Sequence, residues 1–137
     1  EPAADPDGFD EERWREGDPS LLEGCWSLTS DYSLRDRDTG VVTTVDAWRM
    51  CFDAEGAGEQ TLELTDGSTC EGPVDARFEG ERLVIEDRGR VPCRNGERRF
   101  GIFRRIITCG LEPGGEADCR SRQPATGDPS VTVRIRR

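Results

Sequence analysis

The strongest constraint on the fold is a period-two alternation of apolar and polar residues, which starts at Leu22 and recurs to the end of the chain. Such alternation is typical of strands with one buried face, because successive side chains of a strand point to opposite faces. Turn signals, among them Asp66-Gly67 and Pro113-Gly114-Gly115, separate the alternating stretches. The pattern predicts eight strands, over 22–32, 42–52, 60–64, 74–78, 83–85, 98–111, 117–123 and 131–135, with a looser connection over 90–96.

Eight short strands without helical periodicity indicate an all-β fold, and we predict an eight-stranded antiparallel up-and-down barrel over residues 21–137. Closure of the sheet would remove its exposed edges. Residues 1–20 are acidic and rich in Pro, Asp and Gly, which predicts a flexible leader. Phe9 and Trp14 are the large apolar residues of this leader and would anchor it if it docked, but the composition favours a free tail.

Six cysteines stand in a chain that is 33% hydrophobic and 35% charged. A core this poor, with an even cysteine count and no Cys-x-x-Cys motif, favours disulfides in an oxidising compartment over a zinc site. Six cysteines allow fifteen pairings. The predicted hairpins favour three of these bridges, Cys25–Cys51, Cys70–Cys93 and Cys109–Cys119.

The composition also excludes common catalytic machinery. The chain has no His and no Lys, so Ser-His and Cys-His catalysis and His-ligated zinc are excluded. No phosphate-binding loop or cofactor motif occurs, and we expect no enzyme activity, cofactor or metal. Asp75, Glu86 and Asp87 are interpreted as solvated sheet residues rather than a glycosidase pair, and Asp36-x-Asp38-x-Gly40 as a turn rather than a calcium loop.

Charge is distributed unevenly along the chain. The formal net charge is −10, yet residues 1–76 hold 20 acidic residues and 5 Arg whereas residues 77–137 hold 9 acidic residues and 14 Arg. The acidic total disfavours nucleic acid as a partner. No apolar run approaches the ~20 residues of a membrane span.

The arginines of the second half fall in a pattern. Arg120 and Arg122 share one face of the predicted seventh strand, and Arg134 and Arg136 share one face of the eighth. Neighbouring strands would merge them into one outer stripe, joined by Arg104 of the sixth strand. Guanidinium groups bind carboxylate, phosphate and sulfate, so we expect this stripe to contact an anion or a protein partner.

The string Leu22-Glu23-Gly24-Cys25-Trp26-Ser27-Leu28 resembles the Gly-x-Trp signature of the calycins, which include lipocalins, avidins and small bacterial metalloprotease inhibitors. The resemblance implies a lipocalin-like barrel in which Gly24 admits a close backbone approach and Trp26 closes one end. It further implies that a basic residue of the last strand, Arg134 or Arg136, covers Trp26. The same cysteine-rich string also resembles carboxy-terminal domains of large bacterial envelope or virulence-associated proteins.

These observations favour a noncatalytic binding module outside the cytoplasm, at a periplasmic, cell-surface or secreted location. Its partner would be a protein or a small apolar ligand, and the expected interior aromatic residues favour the protein: Trp26, Trp48, Phe52, Phe78 and Phe103. The alternatives are a calycin-type protease inhibitor that uses the acidic leader, and a carrier of small apolar ligands. The first residue is Glu rather than Met, which indicates a processed or excised chain. The sequence leaves the oligomeric state open.

Overall fold

A computed structural model describes residues 9–137, which form two short helical segments and eleven strands. The helix α1 (Glu11–Arg15) and a 3-10 helix (Pro19–Leu22) precede the sheet. The strands are β1 (Gly24–Leu28), β2 (Ser33–Arg35), β3 (Val42–Phe52), β4 (Ala57–Leu64), β5 (Thr69–Glu79), β6 (Arg82–Asp87), β7 (Val91–Asn95), β8 (Arg98–Ile102), β9 (Ile106–Leu111), β10 (Ala117–Arg122) and β11 (Val131–Arg136).

Eight of these strands close into an antiparallel barrel, which confirms the predicted fold class. The strands of the ring pair in the order β1, β3, β4, β5, β6, β9, β10 and β11. The ring closes where β11 returns to β1, with Leu28 opposite Ile135. β2 pairs with the start of β3, and the β7–β8 hairpin joins β5, so both lie outside the ring.

The alternation places one face of every barrel strand inside. Trp26 and Trp48 are 1% exposed and Met50 is fully buried, and around them pack Leu62, Val74, Leu83, Ile85, Ile107, Val133 and Ile135. Large side chains therefore fill the interior. This packing follows from geometry, since an eight-stranded barrel has an interior just wide enough for side chains.

The three predicted disulfides are all present, as Cys25–Cys51, Cys70–Cys93 and Cys109–Cys119. The Cys25 and Cys51 residues are directly opposite each other in the β1–β3 register, as the position of the first hairpin predicts. They are only half-buried, whereas the other four cysteines are at most 3% exposed. Three bridges suggest a non-reducing environment.

Residues 9–20 differ from the expected free tail. Phe9 and Trp14 are 4% and 2% exposed and belong to the core cluster. The rings of Phe9 and Trp26 meet edge to face at 5.1 Å, and those of Trp14 and Phe78 at 5.3 Å. Asp10 caps α1 by accepting a hydrogen bond from the Arg13 amide. The docked alternative is therefore correct for residues 9–20, and residues 1–8 of the predicted leader lie outside the described residues.

Several predicted strand boundaries are wrong. The predicted first strand, 22–32, is a strand only over Gly24–Leu28, and the short strand β2 is absent from the prediction. The stretch 98–111 is not one strand, because it breaks at 103–105 into β8 and β9. The expected loose connection over 90–96 contains β7, which pairs with β8 as a hairpin and reaches β5 through Cys70–Cys93. The break allows Arg105 to turn into the barrel, where its side chain is fully buried.

Candidate functional site

Trp26 lies at one end of the barrel, where aromatic residues surround it. Its ring centroid lies 5.1 Å from that of Phe9 and 4.7 Å from that of Phe52. Gly24 takes a positive φ of 125°, and a Cβ there would collide with the guanidinium of Arg137. Arg137 in turn donates hydrogen bonds to the carbonyls of Leu21 and Glu23. This end is thus closed by residues 9–22 together with the last residue of the chain.

The expected cover of Trp26 by Arg134 is wrong. Arg134 is exposed on the outer face of β11 and lies near Glu116, with 3.9 Å between the nearest charged atoms. The reason is parity, because Val133 and Ile135 point inward and residues 134 and 136 point outward. Phe9, from the segment expected to be free, packs on the indole instead.

A buried polar cluster occupies the other half of the barrel. The Nε and Nη2 atoms of Arg105 donate to the two carboxylate oxygens of Asp87 at 2.7 and 2.9 Å. Gln60 donates to Asp87 at 2.6 Å and accepts from the Trp48 indole at 3.0 Å. Tyr32 joins the cluster through Arg105 at 3.4 Å, and all of these side chains are at most 3% exposed.

The cluster is electrically balanced. Burial disfavours the charged guanidinium, but the adjacent Asp87 carboxylate and then Tyr32 outweigh it and hold the pKa of Arg105 above its ordinary value. Burial raises the pKa of Tyr32, so this phenol is neutral at pH 7. The Arg105 guanidinium also lies 5.0 Å from the Trp48 ring centroid. With every member hydrogen-bonded in the interior, this arrangement stabilises a filled barrel.

Sequence reasoning missed this cluster and misread Asp87, which is buried rather than solvated. The sequence contains a signal for this cluster, because polar residues stand at inward-facing positions of the alternating strands. Gln60, Asp87 and Ser121 continue the inward-facing sets of β4, β6 and β10, and Arg105 continues the inward set of β9. Polar residues at inward positions of neighbouring strands predict a buried network, because each must find a partner.

The outer face of β5, β6, β9 and β10 forms a groove of about 900 Å³. The register aligns Arg77, Val84, Thr108 and Arg120 in one row across these strands. The next outward-facing row runs through Glu86, Ile106 and Arg122. Val84 is only 5% exposed although it lies outside the core cluster, so the groove has an apolar floor between charged walls.

The two walls of this groove differ in how many of their arginines form ion pairs. On the β5–β6 wall, Arg77 pairs with Glu79 at 3.4 Å and Glu86 at 3.1 Å. On the β10 wall, Arg120 and Arg122 are exposed and have no ion pair within the described residues. Asp118 lines the same wall, and its buried Oδ1 atom has no hydrogen-bond partner in the described part of the chain. Exposed arginines without an ion pair among residues 9–137 therefore line both walls, two on β10 and one, Arg82, on β6.

The predicted arginine stripe is brought together in part. Arg120 and Arg122 line the groove, and Arg134 and Arg136 lie on the outer face of the neighbouring β11, where Arg134 is opposite Asp118. Arg104 is half-buried in the connection before β9 and does not line the groove. Arg77 and Arg82 of β5 and β6 do line it, and the strand order needed to find them is not visible in local spacing.

The helical segments of the described chain have five and four residues, too few to cross a bilayer, and no group of three or more potential metal-ligating residues occurs within residues 9–137. No family model, curated protein or solved structure matches this chain.

Proposed function

We propose that this protein is a noncatalytic binding module that recognises an acidic segment of a partner protein through the β10 wall of the outer groove. The observation that carries the proposal is the pair Arg120 and Arg122, two exposed cations without ion pairs at the edge of an apolar floor. Guanidinium groups left without a partner are suited to carboxylates brought by another molecule.

The spacing of this pair favours an extended polypeptide. Residues two apart on a strand lie about 7 Å from each other, and alternate side chains of an extended peptide have the same spacing. Two acidic residues separated by one residue would therefore meet both guanidinium groups.

The filled interior supports an outer contact rather than a carrier function. Trp26, Trp48 and Arg105 occupy the barrel, each at most 1% exposed. The docking of residues 9–20 also leaves the protease-inhibitor hypothesis without support from that segment, because it requires them to be available to an enzyme. Three disulfides favour a periplasmic, cell-surface or secreted location for the module.

The proposal is tested with fluorescein-labelled peptides in which aspartate alternates with serine, measured by fluorescence anisotropy. We expect saturable binding that weakens as salt is raised, because exposed charge pairs are screened. A peptide of alternating lysine and serine should not bind. The double variant R120E/R122E should abolish binding of the aspartate peptide.

The matched control is R37E/R49E, which changes the net charge equally at two exposed arginines outside the groove. Binding in this control should equal that of the unmodified protein. Equal losses in both variants would show that net charge, not the groove, drives binding and would overturn the proposal. Tighter binding of heparin than of any acidic peptide, abolished by R120E/R122E, would overturn the choice of polypeptide in favour of a sulfated glycan.

A further inference from the structure

The barrel has a seam between β2 and the first half of β11. β1 pairs with β11 at Ser27–Arg136 and Leu28–Ile135, and the backbone hydrogen bond from Thr29 to Arg134 is the last between them. Beyond it, side chains replace strand pairing. The Gln123 amide accepts from the Arg35 N–H at 2.9 Å and donates to the Arg35 carbonyl at 3.1 Å, and Arg35 pairs with Asp128 at 2.7 Å.

Some backbone groups of β11 lack a partner strand at this seam, and the hydrogen bonds of Arg134 show which groups face it. The Arg134 carbonyl accepts from the Thr29 amide at 2.9 Å, and the Arg134 amide donates to the Ser30 hydroxyl at 2.8 Å. Alternate residues of an antiparallel strand direct these groups to the same side. The backbone N–H and carbonyl of Thr132 therefore face the seam, where the described residues offer them no partner. An extended peptide is the ligand that satisfies such an edge.

A pocket of about 190 Å³ lies in the seam, lined by Leu34, Val42, Pro129 and Val131 on its apolar side. Among the described residues three large apolar side chains are exposed, namely Val41, Val42 and Val131, and two of them line this pocket. Ligand pockets for drug-sized molecules start near ~300 Å³. The size of the seam pocket thus suits a single apolar side chain.

The seam pocket continues the proposed binding groove. Arg122 and Ser130 line the groove, and their chain neighbours Gln123, Pro129 and Val131 line the pocket. We infer that the acidic partner segment carries one apolar residue, a few positions from its acidic pair, which enters the seam pocket beside the free edge of β11. This inference rests on the proposed function and adds the second determinant of recognition.

The first test is selection of a random peptide library displayed on phage against the unmodified protein. We expect enriched sequences to contain two acidic residues in an acid-x-acid arrangement, followed or preceded within a few residues by an apolar residue. Enrichment of acids without the apolar residue would overturn the pocket inference and leave the proposed function intact. Enrichment without acids would overturn the proposed function.

The second test measures anisotropy of an enriched peptide and of the same peptide with its apolar residue replaced by serine. The serine peptide should bind the unmodified protein about tenfold more weakly, the effect of losing one buried apolar side chain. V42N should remove this difference, whereas V41N should retain it. Val41 and Val42 are 58% and 55% exposed, and Val42 alone of the two lines the pocket, so they are matched. Equal affinity of both peptides for the unmodified protein, or equal effects of V41N and V42N, would overturn the inference.

Discussion

At the scale of single residues, two ion pairs of similar geometry differ in their surroundings. Arg105 and Asp87 form a bidentate pair whose side chains are at most 1% exposed, whereas Arg88 and Asp75 form one whose side chains are 52% and 43% exposed. Removing one member of a buried pair leaves an uncompensated charge in the interior. When one member of the exposed pair is removed, water solvates the remaining charge, so little stability is lost.

We therefore expect Asp87→Ala to lower the free energy of unfolding by about 3–5 kcal/mol, and Asp75→Ala by less than about 1 kcal/mol. Urea unfolding in oxidising buffer measures both. The double variant D87L/R105M should recover much of the loss, because apolar residues of similar volume replace a buried pair well. Equal costs for Asp87→Ala and Asp75→Ala would contradict this account of the cluster.

Gly24 gives a second prediction at this scale. Its positive φ disfavours other residues by about 1–3 kcal/mol, and its missing Cβ makes room for Arg137. Gly67 also has a positive φ, of 90°, but no atom lies within 4 Å of a Cβ placed there. We expect Gly24→Ala to reduce the free energy of unfolding more than Gly67→Ala does. When both substitutions are made in the R137A variant, the difference between their effects should be smaller. No narrowing would show that Arg137 does not occupy this space in solution.

At the scale of elements, α1 is held to the barrel by a few large side chains. Trp14 is 2% exposed, packs on Phe78 and donates from its indole to the Glu81 carbonyl at 2.7 Å. A helix of five residues has little stability of its own, so this packing determines whether residues 9–22 stay docked.

Trp14→Ala should release this segment while the ring of strands stays closed. Hydrogen exchange is expected to accelerate over residues 9–22 and to remain slow in β5 and β6. Glu12→Ala, at an exposed position of the same helix, is the control and should change neither. Fast exchange throughout the barrel in Trp14→Ala would mean that the segment is part of the cooperative core.

Alternation predicts the elements well wherever a strand has one wet and one dry face. The Cys25–Cys51 bridge follows from the parity and turn position of a single hairpin, both of which are local. The break at 103–105 could have been found, since Phe100 and Ile102 are buried at even positions and Ile107 and Cys109 at odd ones. The outer groove could not, because it depends on which strands become neighbours, and β9 pairs with β6 across the β7–β8 hairpin.

At the scale of the whole molecule, hydrogen bonds to carboxylates couple stability to pH. Arg88 holds the pKa of Asp75 below its ordinary value of 3.8, and Arg35 does the same for Asp128. Hydrogen bonds from the Ser20 and Ser68 residues lower the pKa of Asp18 and Asp66 in the same way. A lowered folded-state pKa contributes stability that is present above the unfolded value and is lost as pH falls below it.

The urea midpoint of the unmodified protein should therefore exceed that of D75N/D128N at pH 7, and the gap should close as pH falls through 3.8 and below. The variant cannot ionise at these positions, and the unmodified protein comes to resemble it once both carboxylates are protonated. A gap that persists unchanged at pH 2 would show that the two aspartates act through packing rather than charge.

The three disulfides differ in solvent exposure, and this difference has a practical consequence. Cys25 and Cys51 are half-buried on the outer face, whereas the cysteines of the other two disulfides are buried. A mild reductant should therefore reduce the Cys25–Cys51 disulfide much faster than the other two. Brief reduction should liberate a single pair of thiols on an otherwise native molecule. The chain thus carries its own attachment point for a dye or a surface, on strands β1 and β3, without a mutation.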